Sequence, residues 1–192
     1  MKRLINLIEH NASGKKVLGL FVLSTAVYFF MLTVTIPETM EFSEGMKLLD
    51  MMPTGYDMAY VNELFNTLGE QGRRTYLTHQ IPADMIYPLL FGLTYCLMMA
   101  YFLKKINRFK FPFYYLCLLP VVAGIADYSE NFGIILMLKS YPDLTQLIVK
   151  TTNLFSLIKS VATSVFFVAL IGVLILFGYK AKNRKKSGTN AG

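Results

Sequence analysis

Gly124-Ile125-Ala126-Asp127-Tyr128-Ser129-Glu130-Asn131-Phe132-Gly133 places two carboxylates and a carboxamide inside a stretch that otherwise reads as a membrane-crossing helix. Positions 127, 130 and 131 are spaced i, i+3, i+4, so their side chains share one helical face, with Gly124 one turn below as a point of close approach. An ionisable side chain at the bilayer centre costs roughly 2.5–3.5 kcal/mol even on insertion scales. Two of them one turn apart demand partners, which the rest of the sequence has to supply.

The chain around this stretch has 192 residues, 54% hydrophobic and 16% charged, with a mean hydropathy of +0.45. A soluble domain is nearer 45–50% apolar and about 25% charged. The composition therefore predicts an all-α polytopic membrane protein, a bundle of four transmembrane helices forming one domain over 1–180, with no internal repeat or linker. The net charge of +7 does not point to nucleic acid, because most Lys and Arg flank apolar segments. There they act as topology signals and lipid-headgroup contacts, which makes membrane lipids the expected partners. Cys96 and Cys117 fall inside apolar spans without a Cys-x-x-Cys spacing and read as small buried apolar residues. His10 and His79, the only histidines, lie in different loops, so neither a metal site nor a cofactor is expected.

Taken in order, residues 1–16 carry Lys2, Arg3, Lys15 and Lys16 around a short apolar pattern and read as an interfacial segment. Val17 to Ile36 has no charge; twenty residues of helix span about 30 Å, longer than a signal-peptide core. Pro37-Glu38-Thr39-Met40 offers no small-x-small cleavage site, so an uncleaved first helix is predicted. The loop from 37 to 82 holds seven of the twelve acidic residues. Within it Thr54-x-x-Asp57 resembles a capping box, and Met58, Val61, Leu64, Phe65 and Leu68 follow at helical spacing before Gly69. That pattern predicts an extra short amphipathic helix lying on the bundle or the headgroups.

The remaining spans are predicted at about 83–103, 112–138 and 154–178. Pro88 has no N–H to offer the Asp84 carbonyl four residues earlier, so a kink and a spare carbonyl are expected there. Pro120 is a second expected kink, and the basic tail over 181–192 is expected to be disordered. Lys and Arg on the flanks before span one, between spans two and three, and after span four number thirteen, against five on the other side. The chain is therefore expected in a cell membrane, multi-pass, with both termini cytoplasmic and the acidic loop outside.

This orientation sets depth at 1.5 Å per helical residue. Asp84 and Tyr87 at the start of span two, Asp127, Glu130 and Asn131 in the outer half of span three, and Lys159 and Ser160 near the start of span four fall in one slab. They are the candidate ligand-binding residues of an outward-facing polar pocket for a lipophilic or cationic molecule or a lipid. Arg73, Arg74 and His79 enter from the same side as candidate headgroup contacts. No catalytic residue is assigned. The competing reading is a buried salt-bridge network, Lys159 with Asp127 or Glu130, that only fixes helix packing in a structural or partner-binding protein. A small transporter subunit is a third reading, and it requires a homo-oligomer. Ser156-x-x-x-Ser160-x-x-x-Ser164 reads as a packing ridge.

Gly69-x-x-Gly72-Arg73-x-x-Tyr76-Leu77, Asp84-x-x-x-Pro88 and Asp127-x-x-Glu130-Asn131 together resemble a group of small four-span bacterial integral membrane proteins, a likeness that covers most of the chain and implies no activity. In layout, four spans with a long first outer loop and acids on two central helices resemble the EXPERA group, the emopamil-binding and sigma-2-receptor-like proteins. That resemblance implies binding of sterols or lipophilic amines. Sterol isomerases of the group also use membrane-embedded histidine and tryptophan, which the spans here lack, so the implied property is an acid-lined pocket rather than isomerase activity.

Overall fold

A continuous uncharged stretch such as 17–36 has one way to satisfy its backbone in lipid, which is to hydrogen-bond to itself as a helix. The computed structural model describes residues 2–189, with side chains over 3–183. All regular structure among them is helical: α1 (Lys2–Asn11), α2 (Gly14–Met40), a 3₁₀ turn at Leu49–Met51, α3 (Met58–Lys105), α4 (Phe113–Ser140) and α5 (Gln146–Thr189). Each of α2 to α5 is long and apolar enough to cross a membrane. The tail expected to be disordered continues α5 as helix to Thr189, and 190–192 lie outside the described residues.

The segment expected as a loop over 37–82 is mostly helix. α2 carries on through one wide turn at Met31–Thr35 to Met40, and α3 starts at Met58, which leaves 41–57 as the connection. The start is set by Asp57, not by Thr54: its carboxylate accepts the Tyr60 N–H at 2.9 Å, which satisfies one of the free donors of the first turn. The amphipathic stretch is consequently the leading end of α3, bent away from the rest at Gly69, where φ is +60°. Only glycine adopts that backbone without strain. Val61, Leu64, Phe65 and Leu68 are buried there in a cluster with Ile134, Met137 and Leu138 of α4 and Val149 of α5.

A second apolar cluster closes the opposite end. It joins Ile8 of α1 and Ala12 just after it to Cys96, Met99 and Leu103 of α3, Cys117 of α4 and Phe166 and Leu170 of α5. Lys104 Nζ donates to the Glu9 carbonyl at 2.9 Å and ties α1 down. Both cysteines are free and buried. The outer faces of α2 and α5 expose Leu18, Val22 and Phe29, and Val161, Val168 and Ile175, the surface a lipid-facing helix requires.

Two close approaches bring α3 and α4 together. A Cβ on Gly124 would lie 2.7 Å from the Pro88 carbonyl oxygen, and one on Gly92 would lie 3.4 Å from that of Pro120. The two prolines sit in the first turns of their α-helical segments; Pro120 marks where α4 changes from a 3₁₀ opening at Phe113–Leu118 to α-helix. Backbone-to-backbone contact at Gly124 leaves the polar face of α4 beside the start of the α3 span.

Candidate functional site

The spare carbonyl is where the site begins. Met85–Ile86 form a turn between the helical segments of α3 just before Pro88, with the Ile86 N–H bonded to the Ala83 carbonyl, and the Asp84 carbonyl accepts a bond from Asn131 Nδ2 at 3.1 Å. One turn away on α4, Asp127 Oδ1 lies 3.1 Å from Lys159 Nζ, and the same ammonium forms a tighter ion pair with Glu130 Oε2. Glu130 and Asn131 are fully buried, whereas the Lys159 side chain keeps 20% exposure. No Lys or Arg among the described residues comes within ion-pair distance of the Asp84 carboxylate.

The connection 41–57 crosses over this cluster and is held from both sides. From α5, Lys159 Nζ donates to the Asp50 carbonyl at 3.5 Å and Ser156 Oγ to that of Met52 at 3.3 Å. The Asn153 side-chain oxygen accepts the Tyr56 N–H at 2.8 Å. From α3, the Tyr76 hydroxyl and Gln80 Nε2 donate to the Asp50 carboxylate, the latter at 2.9 Å, and Thr35 of α2 donates in turn to Gln80 Oε1. Tyr56 is buried with its hydroxyl unpartnered. Burial, with the Glu130 carboxylate nearby, pushes its phenol up from the ordinary value, so it stays neutral.

Beneath this strap lies a cavity of about 630 Å³ between α2, α3, α4 and α5. Its polar end carries Asp50, Asp84, Asp127, Lys159 and Ser160; its apolar end carries Tyr28, Tyr87, Phe91, Tyr95 and Phe167. The aromatic rings form one connected set, with centroid separations from 4.8 Å for Phe91–Tyr95 to 6.3 Å for Phe91–Phe167. The wall is buried at Asp84, Ala123 and Asp127, while Tyr28 on α2 and Ser164 on α5 are exposed, so the cavity opens sideways between the first and last spanning helices.

Of the expected ligand-binding residues, Asp84, Tyr87, Asp127, Lys159 and Ser160 line the cavity. Glu130 and Asn131 do not: the i+3 and i+4 positions turn them behind Lys159 and toward α3, where they hold other residues in place. The headgroup contacts divide. Arg73 is used internally, its Nη1 donating to the Phe65 carbonyl at 2.6 Å and its guanidinium stacked 4.6 Å from the Tyr141 ring. His79 Nδ1 pairs with Glu38 at 2.9 Å on the surface, and Arg74 is exposed. All three positions of the serine ridge, Ser156, Ser160 and Ser164, line the cavity. Sequence reasoning missed Asp50, Tyr56, Gln80 and Asn153, whose positions depend on how the connection folds back. It also missed the aromatic set, although Tyr87-x-x-x-Phe91-x-x-x-Tyr95 has the spacing of one helical face.

Among the described residues no group of three His, Cys, Asp or Glu side chains is arranged to hold a metal ion. No family model matches the chain, nor does any curated protein or solved structure.

Proposed function

We propose that this is a multi-pass membrane protein that binds a lipophilic molecule with a cationic head, the ammonium seated against Asp84 and Asp127 and the apolar body against the aromatic set. The observation that carries the reading is the charge balance at the polar end. Three carboxylates, Asp50, Asp84 and Asp127, line a cavity that holds one cation, Lys159, and that cation is shared with a fourth carboxylate, Glu130, behind it. A carboxylate in hydrocarbon surroundings gains from a cation placed near it. At 4 Å and an effective dielectric of about 20 the gain is about 4 kcal/mol.

The rest of the cavity supports the same class of ligand. Its volume lies within the range of about 300–1,000 Å³ of small-molecule sites, aromatic faces attract ammonium groups, and the sideways opening at Tyr28 and Ser164 gives an alkyl tail a route into lipid. On the topology set by the Lys and Arg count, the site faces outward and both termini are cytoplasmic. The Lys159–Glu130 pair, which is fully buried on the glutamate side, serves helix packing as well.

Thermal melting and native mass spectrometry with three probes of equal chain length test this reading. Dodecylamine should give a one-to-one adduct and raise the melting temperature, corresponding to about 2.7 kcal/mol at a hundredfold excess over Kd. Dodecanol and dodecanoate should not, and Asp84→Asn and Asp127→Asn should each weaken the amine while melting near the wild type. Equal responses to all three probes, or amide variants that bind the amine undiminished, would refute it.

A further inference from the structure

Lys159 is an ammonium on a flexible four-carbon stem, and its Nζ already occupies one of the two carboxylates assigned to the ligand, 3.1 Å from Asp127 Oδ1. Its other carboxylate partner differs in kind. Asp127 lines the cavity, whereas Glu130 is fully buried and does not. Lys159 can therefore give up the cavity-facing partner without giving up the buried one. Glu130 also has acceptor capacity to spare, because its Oε1 is buried without a hydrogen-bond partner, and an ammonium has three donors to place.

We infer that Lys159 is a tethered competitor of the ligand's ammonium at Asp127, and that Glu130 is the positioning residue that retains Lys159 when the ligand arrives. This rests on the cation-binding reading above and adds a specificity device to it. A head group must displace a lysine to bind, so an ammonium able to bridge Asp84 and Asp127 succeeds where a neutral head fails. Binding adds a cation to a site that holds more carboxylates than cations, so it reduces the surplus of negative charge. Without ligand, one ammonium serves Asp127 and Glu130; with ligand, one ammonium sits on Asp84 and Asp127 and the other on Glu130. Glu130 acts only through Lys159 and never touches the ligand.

Three proteins separate this from a simple effect of net charge: the wild type, Glu130→Gln, and Lys159→Met/Glu130→Gln. The double variant loses one positive and one negative charge, so its site carries the wild-type net charge, and it leaves no lysine to compete. Dodecylamine affinity is measured on each by native mass spectrometry, with melting as the control for folding. Glu130→Gln leaves Lys159 wholly on Asp127, and its Kd for dodecylamine should rise at least about tenfold, while that of the double variant should fall at least about tenfold below wild type, given the strength of a charge contact at this depth. A double variant that binds no tighter than wild type, or a Glu130→Gln variant that binds at least as tightly, overturns the competition while leaving the binding reading intact. Absence of dodecylamine binding from wild type and double variant alike removes both.

Discussion

Methionine in place of Lys159 keeps the length and apolar stem of the side chain and deletes the ammonium. What that deletion costs depends on where its partners sit. The Glu130 carboxylate is fully buried, and Lys159 is the only cation among the described residues within ion-pair distance of it, while Asp127 retains some access to the cavity. Breaking a buried pair by removing one partner costs about 3–5 kcal/mol, because the other charge stays behind unpaired; an exposed pair is worth about 0–1 kcal/mol. The bond to the Asp50 carbonyl, at 3.5 Å, adds little. For a chain of this length each kcal/mol is worth about 2–4 °C, so the variant should melt roughly 6–20 °C below wild type at pH 7. The matching control is Lys159→Met/Glu130→Gln, which removes the stranded charge and should recover most of the loss. Thermal unfolding of four proteins in one detergent, the wild type, Lys159→Met, Glu130→Gln and the double variant, decides the matter. A single variant within about 1 kcal/mol of wild type, or a double variant that loses the sum of the two single losses, would mean that Lys159 and Glu130 are not the coupled pair described here.

Gly124→Ala should lose about 1–3 kcal/mol by overpacking against the Pro88 carbonyl, more than the roughly 1 kcal/mol alanine gains in helix propensity, whereas Gly19→Ala, with open space around it, should lose nothing; parallel melting curves compare them. Asn131→Leu leaves the Asp84 carbonyl without its donor and should lower stability by about 1–3 kcal/mol, read by denaturant titration. Asp57→Ala removes the cap of α3 and should cost about 1 kcal/mol, with Asp57→Asn close to wild type in the same titration. Asn153→Ala should speed exchange of the Tyr56 amide, measured by hydrogen–deuterium exchange, because its side-chain oxygen is the acceptor for that N–H; an unchanged rate would refute the anchoring of the strap to α5.

Much of this was legible at the level of helices and hardly at all in the connection. Long uncharged runs can only be helices in lipid, which is why α2 and α5 read clearly. The proline at 88 and the carboxamide at 131 were each visible as a donor lost and a donor offered; their meeting needed only the α3–α4 approach that Gly124 permits. The segment 37–82 misled for a physical reason. Its acidic content resembles a loop, yet the charges of Glu63 and Glu70 are exposed along a helix whose other face, Val61, Leu64, Phe65 and Leu68, is buried. Asp50 was one acid among seven in that segment. Its place at the site comes from Tyr76 and Gln80, two residues of α3 whose side chains meet it only once the connection folds back.

That fold-back gives α5 two roles at once. Asn153, Ser156 and Lys159 recur every three residues, so they lie close together along one face, and each binds the connection or the acids beneath it. Continuing down the helix, Ser160, Thr163 and Ser164 line the cavity. Lys159 stands where the latch becomes the wall: its ammonium touches the Asp50 carbonyl above, Asp127 in the cavity and Glu130 behind. Asp50 is in turn tied to α3 through Tyr76 and Gln80, and through Gln80 to Thr35 of α2. One ammonium thus joins α4, α5 and the strap, and the strap joins α2 and α3. On the proposed reading, a ligand cation that takes Asp127 from Lys159 would leave the Glu130 and Asp50 contacts in place, and the cavity would exchange its occupant without releasing the strap that covers it.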